Sequence, residues 1–113
     1  MLFRSAYTAD VNDRDALGRA AQDFLQRFGT PDIVVANAGI SAGTAIGEPG
    51  DAEVFESVLR TNVLGLYDSL APFVGPMRRR GAGRLVGIAS VAGVRGLPGS
   101  AAYSASKIGR AHV

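Results

Sequence analysis

Cysteine is absent from these 113 residues, which excludes a disulfide framework and any thiolate metal site and points to a reducing, cytoplasmic compartment. Lysine is nearly absent too: Lys107 stands alone against eleven arginines. A guanidinium is planar and permanently charged, whereas an ammonium is a compact point charge. One lysine in such a background therefore marks a place that needs that particular cation, unless composition alone left it there. No apolar run approaches the roughly 20 residues that span a bilayer, and no apolar stretch follows Met1-Leu2-Phe3-Arg4 as a secretory leader requires. The single histidine, His112, has no second ligand near it in sequence and is given no metal or catalytic role. Also missing before Asp10 is a Gly-x-x-x-Gly-x-Gly turn, the element that seats a pyrophosphate on a helix N-terminus in dinucleotide-binding domains.

What is present suits one α/β core. Hydrophobic residues make up 47% of the chain and glycines number fifteen, enough for a single domain over residues 1–113. The net charge of +2 comes from scattered arginines with one cluster, Arg78-Arg79-Arg80. Cations at a helix C-terminus complement its dipole, so the cluster reads as a solvated helix end, with a partner-binding patch as its rival. Neither nucleic acid nor a membrane is an expected partner.

Residues 3–8 form a short extended run. Asn12 or Asp13 caps a helix whose apolar positions Ala16, Leu17, Ala20, Ala21, Phe24, Leu25 and Phe28 recur at helical spacing and which stops at Gly29 and Pro31. Ile33, Val34, Val35 and Ala36 make a continuous apolar run of the kind buried on both faces of a parallel sheet. A loop over residues 39–50 leads to a helical region that Asp51 should cap, broken near Thr61 and Asn62 and bent or strained by Pro72 and Pro76. Residues 85–89 are the next strand, residues 93–99 a loop, and Ser100 opens the last helix. Strands alternating with helices imply right-handed crossovers and a doubly wound parallel sheet of Rossmann type, here partial, with ligands at the carboxyl ends of its strands.

Gly39 and Ser90 fall at such ends, and the chemistry gathers near them. Tyr103 and Lys107 are four apart on the last helix and so share a face. A free phenol titrates near a pKa of about 10 and serves poorly as an acid or base at neutral pH, but a fixed cation beside a phenol favours the phenolate and makes it usable for proton transfer. Ser90, thirteen positions before the tyrosine, could hold the oxygen of a carbonyl or alcohol beside that phenol. Each residue also has a plainer role. Tyr103 could simply pack its ring, Ser90 cap a turn, Asn62 bond backbone where the helix breaks, Asp10 cap the following helix, and Gly39 make a turn.

Taken in order, these residues resemble the short-chain dehydrogenase/reductase family. The match is carried by Asp32-Ile33-Val34-Val35-Ala36-Asn37-Ala38-Gly39, Thr61-Asn62-Val63-Leu64-Gly65, Arg84-Leu85-Val86-Gly87-Ile88-Ala89-Ser90 and Tyr103-Ser104-Ala105-Ser106-Lys107, with Asp10-Val11 after the first extended run. One departure is Ala36, where the family often has a first asparagine. The resemblance implies a hydride-transferring oxidoreductase using NAD or NADP on a small-molecule carbonyl or secondary alcohol. By it, Tyr103 is the general acid/base, Lys107 supports it and binds the nicotinamide ribose, Ser90 orients the substrate oxygen, and Asn62 supports a proton relay through water. Asp10 and Val11 contact adenine, Asn37, Ala38 and Gly39 lie beside the cofactor, and no metal is required. It also implies a homo-oligomer, dimer or tetramer, for the intact parent. With the glycine-rich turn and later segments of the family missing, the chain reads as an internal piece of a family member, with an inactive folding or dimerisation module, or a nucleotide-binding module without chemistry, as the alternatives. In the family's 3-2-1-4-5 sheet order, Ile33–Ala36 should pair in parallel with residues 85–89. Residues 3–8, without their usual neighbours, should slide in beside Ile33–Ala36 and displace Asp10.

Overall fold

A computed structural model describes residues 4–43 and 45–111; Phe3 and His112 lie outside that range. Helix α1 spans Arg14–Phe28. Its start is fixed by Asp13, whose carboxylate accepts the Ala16 N–H at 3.0 Å, and its end by Gly29, which takes a left-handed φ of 80° while donating to Leu25 O. Strand β1 is Ile33–Ala36; the described residues between it and Gly50 form neither helix nor strand. Helix α2 runs Asp51–Leu59, a π-helical turn covers Arg60–Leu64, and α3 continues over Gly65–Arg80. Strand β2 is Arg84–Gly87, a 3₁₀ turn spans Val91–Gly93, and α4 is Ala101–Ala111.

The expected break at Thr61 and Asn62 is thus a π turn, with both residues buried. Helix α3 runs through Pro72 and Pro76. It closes at Gly81, φ 80°, where Gly81 and Ala82 donate back to Met77 O. Of the arginine cluster, Arg78 and Arg79 are exposed, but Arg80 is a clamp: its guanidinium bonds Thr30 O, Pro31 O and Ala82 O and pairs with Asp32 at 3.3 Å, tying the entry of β1 to the exit of α3. Asp51 does not cap α2. The capping position is Gly50, left-handed at φ 80°, and Asp51 is the first helical residue, its Oδ1 buried without a hydrogen-bond partner among the described residues. A carboxylate there still complements the helix dipole.

β1 and β2 pair in parallel, Ile33 opposite Arg84 through Ala36 opposite Gly87, and the ladder extends one bond further, Ile88 N–H to Ala36 O at 3.3 Å. The expected pairing holds, with the strand starting and stopping one or two residues earlier than residues 85–89. Ala36, Leu66 and Leu70, with Val34 against them, form the core between sheet and α3. Gly87 lets the strand approach α3 closely, since a Cβ on it would stand 2.9 Å from Leu66 Cδ1 and push that side-chain tip aside.

Two further expectations fail. Ile33 and Val35 are 56% and 53% exposed, so β1 is not buried on both faces: the side chains alternate, and among the described residues only the α3 side carries a covering layer. Nor do residues 4–10 join the sheet, which has two strands among the described residues. They are drawn to α1 instead, where Tyr7 Oη donates to Asp23 at 2.6 Å and Arg27 donates to Ser5 Oγ. Asp10 stays out of the sheet with them. Its carbonyl accepts the Asp13 N–H and its Oδ1 the Asn12 N–H at 2.9 Å, a local turn that leads directly into α1.

Candidate active site

Helix α4 sets Tyr103 and Lys107 on one face, four residues apart. The lysine is buried, 5% exposed. Its Nζ donates to Ile88 O at 3.2 Å and lies 5.2 Å from the centroid of the Tyr103 ring, a cation–π arrangement. A cation drawn out of water needs compensating dipoles, and here the end of β2 supplies a carbonyl. Two residues on, Ser90 caps the 3₁₀ turn, its Oγ accepting the Ala92 N–H at 3.2 Å. That use occupies a lone pair and leaves the hydroxyl proton for another acceptor, so the capping role and an orienting role are compatible. The turn is pressed against α4: a Cβ on Gly93 would stand 2.9 Å from both the carbonyl carbon and oxygen of Lys107.

The second half of the site is built on the π turn. Asn62 is fully buried. Its Oδ1 accepts Ile40 N–H at 2.8 Å, and its Nδ2 donates to Ile40 O at 2.8 Å and to Ser106 Oγ at 2.9 Å. The carboxamide therefore grips the chain just past Asn37, Ala38 and Gly39, an exposed stretch leaving the carboxyl end of β1, and fastens it to α4. Ser106 is also fully buried and passes its own proton to Tyr103 O at 2.7 Å. Sequence reasoning missed both Ser106 and Gly93. The only available signal for Ser106 was its place one helical turn from Tyr103; for Gly93 there was none beyond its being glycine.

The loop at Asp10 and Val11 reaches the same turn. Val11 packs on Gly65, where a Cβ would stand 3.2 Å from Val11 Cγ2, Asn12 Nδ2 donates to Thr61 Oγ1 at 3.1 Å, and Arg60 donates to Asn12 O. Three segments thus converge on the pair formed by Arg60–Leu64 and α4: the Asp10 loop, the loop after β1 and the Ser90 turn. Asp10 itself is exposed. The donor set suits part of a dinucleotide. A buried ammonium is matched to sugar hydroxyls, and exposed backbone at Asn37, Ala38 and Gly39, with no side chain on the last, allows close approach by a flat ring.

A family model described as short chain dehydrogenase matches residues 4–113. Over 100 residues the chain is 36% identical to 3-oxoacyl-[acyl-carrier-protein] reductase FabG of Chlamydia muridarum, covering 88% of this chain and 40% of the relative. It is 39% identical over 100 residues to 2-dehydro-3-deoxy-L-rhamnonate dehydrogenase (NAD(+)) of a Sphingomonas species, with the same coverage. Among solved structures, one described as ElxO with NADP bound superposes with a TM-score of 0.86 at 30% identity, covering 93% of this chain and 42% of that one. The chain spans about two fifths of the length of these relatives.

Proposed function

This chain belongs to the short-chain dehydrogenase family, and we propose that it carries the proton-transfer centre of an oxidoreductase that uses NAD or NADP to interconvert a small-molecule carbonyl and the corresponding secondary alcohol. The observation that carries this reading is Lys107, a buried ammonium held between Ile88 O and the Tyr103 ring on the helix that bears the phenol. The nicotinamide cofactor, when bound, supplies or accepts the hydride. Everything else falls to side chains of this chain. Tyr103 Oη gives its proton to the substrate oxygen as the carbonyl is reduced and takes it back in the reverse direction. Ser90 Oγ donates a hydrogen bond to the same oxygen and fixes its direction. Lys107 keeps positive charge beside the phenol and offers a donor to the nicotinamide ribose. Asn62, with its carboxamide committed to Ile40 and Ser106, contributes by holding the loop at Asn37, Ala38 and Gly39 against this helix; a part in a water-mediated proton relay would fall to its backbone. Asp10 and Val11 are assigned to the adenine end. A homo-oligomeric, cytoplasmic parent completes the proposal.

The test is Tyr103→Phe in the full-length protein, assayed by oxidation of NADH or NADPH with a panel of 3-oxoacyl esters and simple ketones. Loss of the transferable proton should lower turnover by about 10²-fold or more while cofactor affinity stays close to the parent's. Turnover above about a tenth of the parent's, far outside the range expected for a lost general acid, would overturn the assignment.

A further inference from the structure

We propose that Ser106 is a positioning residue for the Tyr103–Lys107 pair, acting as the link through which Asn62 locks the active-site helix to the loop after β1. The inference rests on the reaction proposed above, to which it adds a residue. Asn62 and Ile40 face each other as two complementary pairs: the Ile40 N–H must meet the carboxamide oxygen, and the Ile40 carbonyl must meet the carboxamide nitrogen. That fixes which way the amide points without reference to anything else. Its second N–H is then aimed at Ser106 Oγ, 2.9 Å away in a place with no solvent access. A serine hydroxyl has one proton, and this one goes to Tyr103 O at 2.7 Å, so Ser106 receives from Asn62 and donates to the backbone of Tyr103. The chain of bonds runs from the loop beside Gly39, through Asn62 and Ser106, to the residue whose phenol does the chemistry.

Lys107 is the next residue along and points to the carbonyl of Ile88. Rotation or sliding of α4 would break the Asn62–Ser106 bond and the lysine bond together, because 106 and 107 ride on the same backbone, while the Ser106–Tyr103 bond moves with the helix. Without Ser106 the helix would keep its fold but lose the contact that sets its rotation about its own axis against the loop. Misplacement of reacting groups by about 1 Å costs on the order of 10²-fold in rate, so a residue that touches neither substrate nor cofactor can still govern turnover.

The test compares Ser106→Ala, Ser106→Cys, Asn62→Ala and the double variant Asn62→Ala/Ser106→Ala in the full-length protein, with Tyr103→Phe alongside. Ser106→Ala should lower kcat by roughly ten- to a hundredfold with little change in KM for the cofactor. Ser106→Cys, which keeps the volume and a weak donor and acceptor, should fall between Ala and the parent and covers the case in which the alanine variant does not fold. In cofactor-free protein, one Asn62 side-chain amide proton should lose its hydrogen-exchange protection in Ser106→Ala, as read by NMR. The double variant should be no worse than the poorer single, as expected of groups acting through one bond. Unchanged kcat in Ser106→Ala, unchanged amide protection, or losses that multiply in the double variant would each overturn the proposal. If Tyr103→Phe keeps its turnover, the reading of the reaction fails, and the amide signal still decides whether the link exists.

Discussion

Asn62, on the π turn, and Ile33, at the start of β1, are treated in opposite ways. Asn62 is polar, has no solvent access, and has every donor used; Ile33 is apolar and 56% exposed. The contrast extends to their surroundings. Around the π turn and α4, the buried polar groups Thr61, Asn62, Ser106 and Lys107 are bonded to partners within the described residues; the exception on α4 is Ser104, whose buried Oγ has no hydrogen-bond partner among them. On the far face of the sheet, Ile33 and Val35 meet no covering layer among the described residues, and Ile88 is also more than two fifths exposed. The lesson concerns range. Hydrogen bonds are short and directional, so a polar site can be complete within a few segments, whereas apolar burial needs a whole layer of structure over a face.

Substitutions on the two faces sharpen that difference. Leu66→Ala, at a position 2% exposed against Ala36 and Leu70, should cost about 2–5 kcal/mol, while Ile33→Ser in this chain should stay within about 0.5 kcal/mol, both read from denaturant titration. An Ile33→Ser cost approaching that of Leu66→Ala in the full-length protein would show that the far face is covered there and would dissolve the contrast. On the polar side, Gly93→Ala forces a methyl to within 2.9 Å of the Lys107 backbone, which cannot yield as a side-chain tip can. The Ser90 turn should shift away from α4 and kcat should drop by about tenfold or more, with a smaller change in melting temperature. Parent-like turnover would mean that the Ser90 turn tolerates displacement.

The smallest effect belongs to the surface of α1. The hydrogen bond from Tyr7, and secondarily Arg27, holds the Asp23 carboxyl below its ordinary value of 3.8. A carboxylate whose folded pKa is depressed adds stability above its unfolded pKa, and that contribution disappears as pH falls through the folded value. Tyr7→Phe should therefore raise the Asp23 pKa toward the ordinary value and leave stability at neutral pH little changed, with the difference from the parent vanishing in strong acid. Carboxyl NMR titration reads it directly; an unmoved Asp23 would mean that the Tyr7 bond is not formed in solution.

Much of this architecture was written locally. Asp13 and Gly29 announce the ends of α1 because capping and left-handed backbone are properties of single residues, and Tyr103 with Lys107 announce a shared face because helical spacing is fixed. Alternation of strands and helices implied a parallel sheet, while the pairing of β1 with β2 was expected from the sheet order of the family the sequence resembles. What stayed illegible depends on segments distant in sequence. Ser106 is indistinguishable from any helical serine until Asn62, forty-four positions earlier, is folded against it. The burial of β1 depends on what covers each face, which an apolar run does not state. Residues 3–8 read as an extended run, but Tyr7 and Ser5 found partners on α1 that no periodicity encodes. Asp51 lost the capping place to Gly50 because the loop needed φ 80° there, which glycine adopts without penalty.

The π turn at Arg60–Leu64 works as a gear between two helices that would otherwise be one. Each extra residue in a turn advances the helical phase by about 100°, so α2 and α3 can run on continuously while facing different neighbours, α2 toward α4 and α3 toward α1 and β1. Removing a single residue from this turn would re-mesh the two at the wrong tooth. Either Val58 would keep its seat and Leu66 and Leu70 swing off the sheet, or the core would hold and Asn62 rotate out of reach of Ile40 and Ser106. One residue of helical slack lets the same rod serve the hydrophobic core and the reaction centre at once.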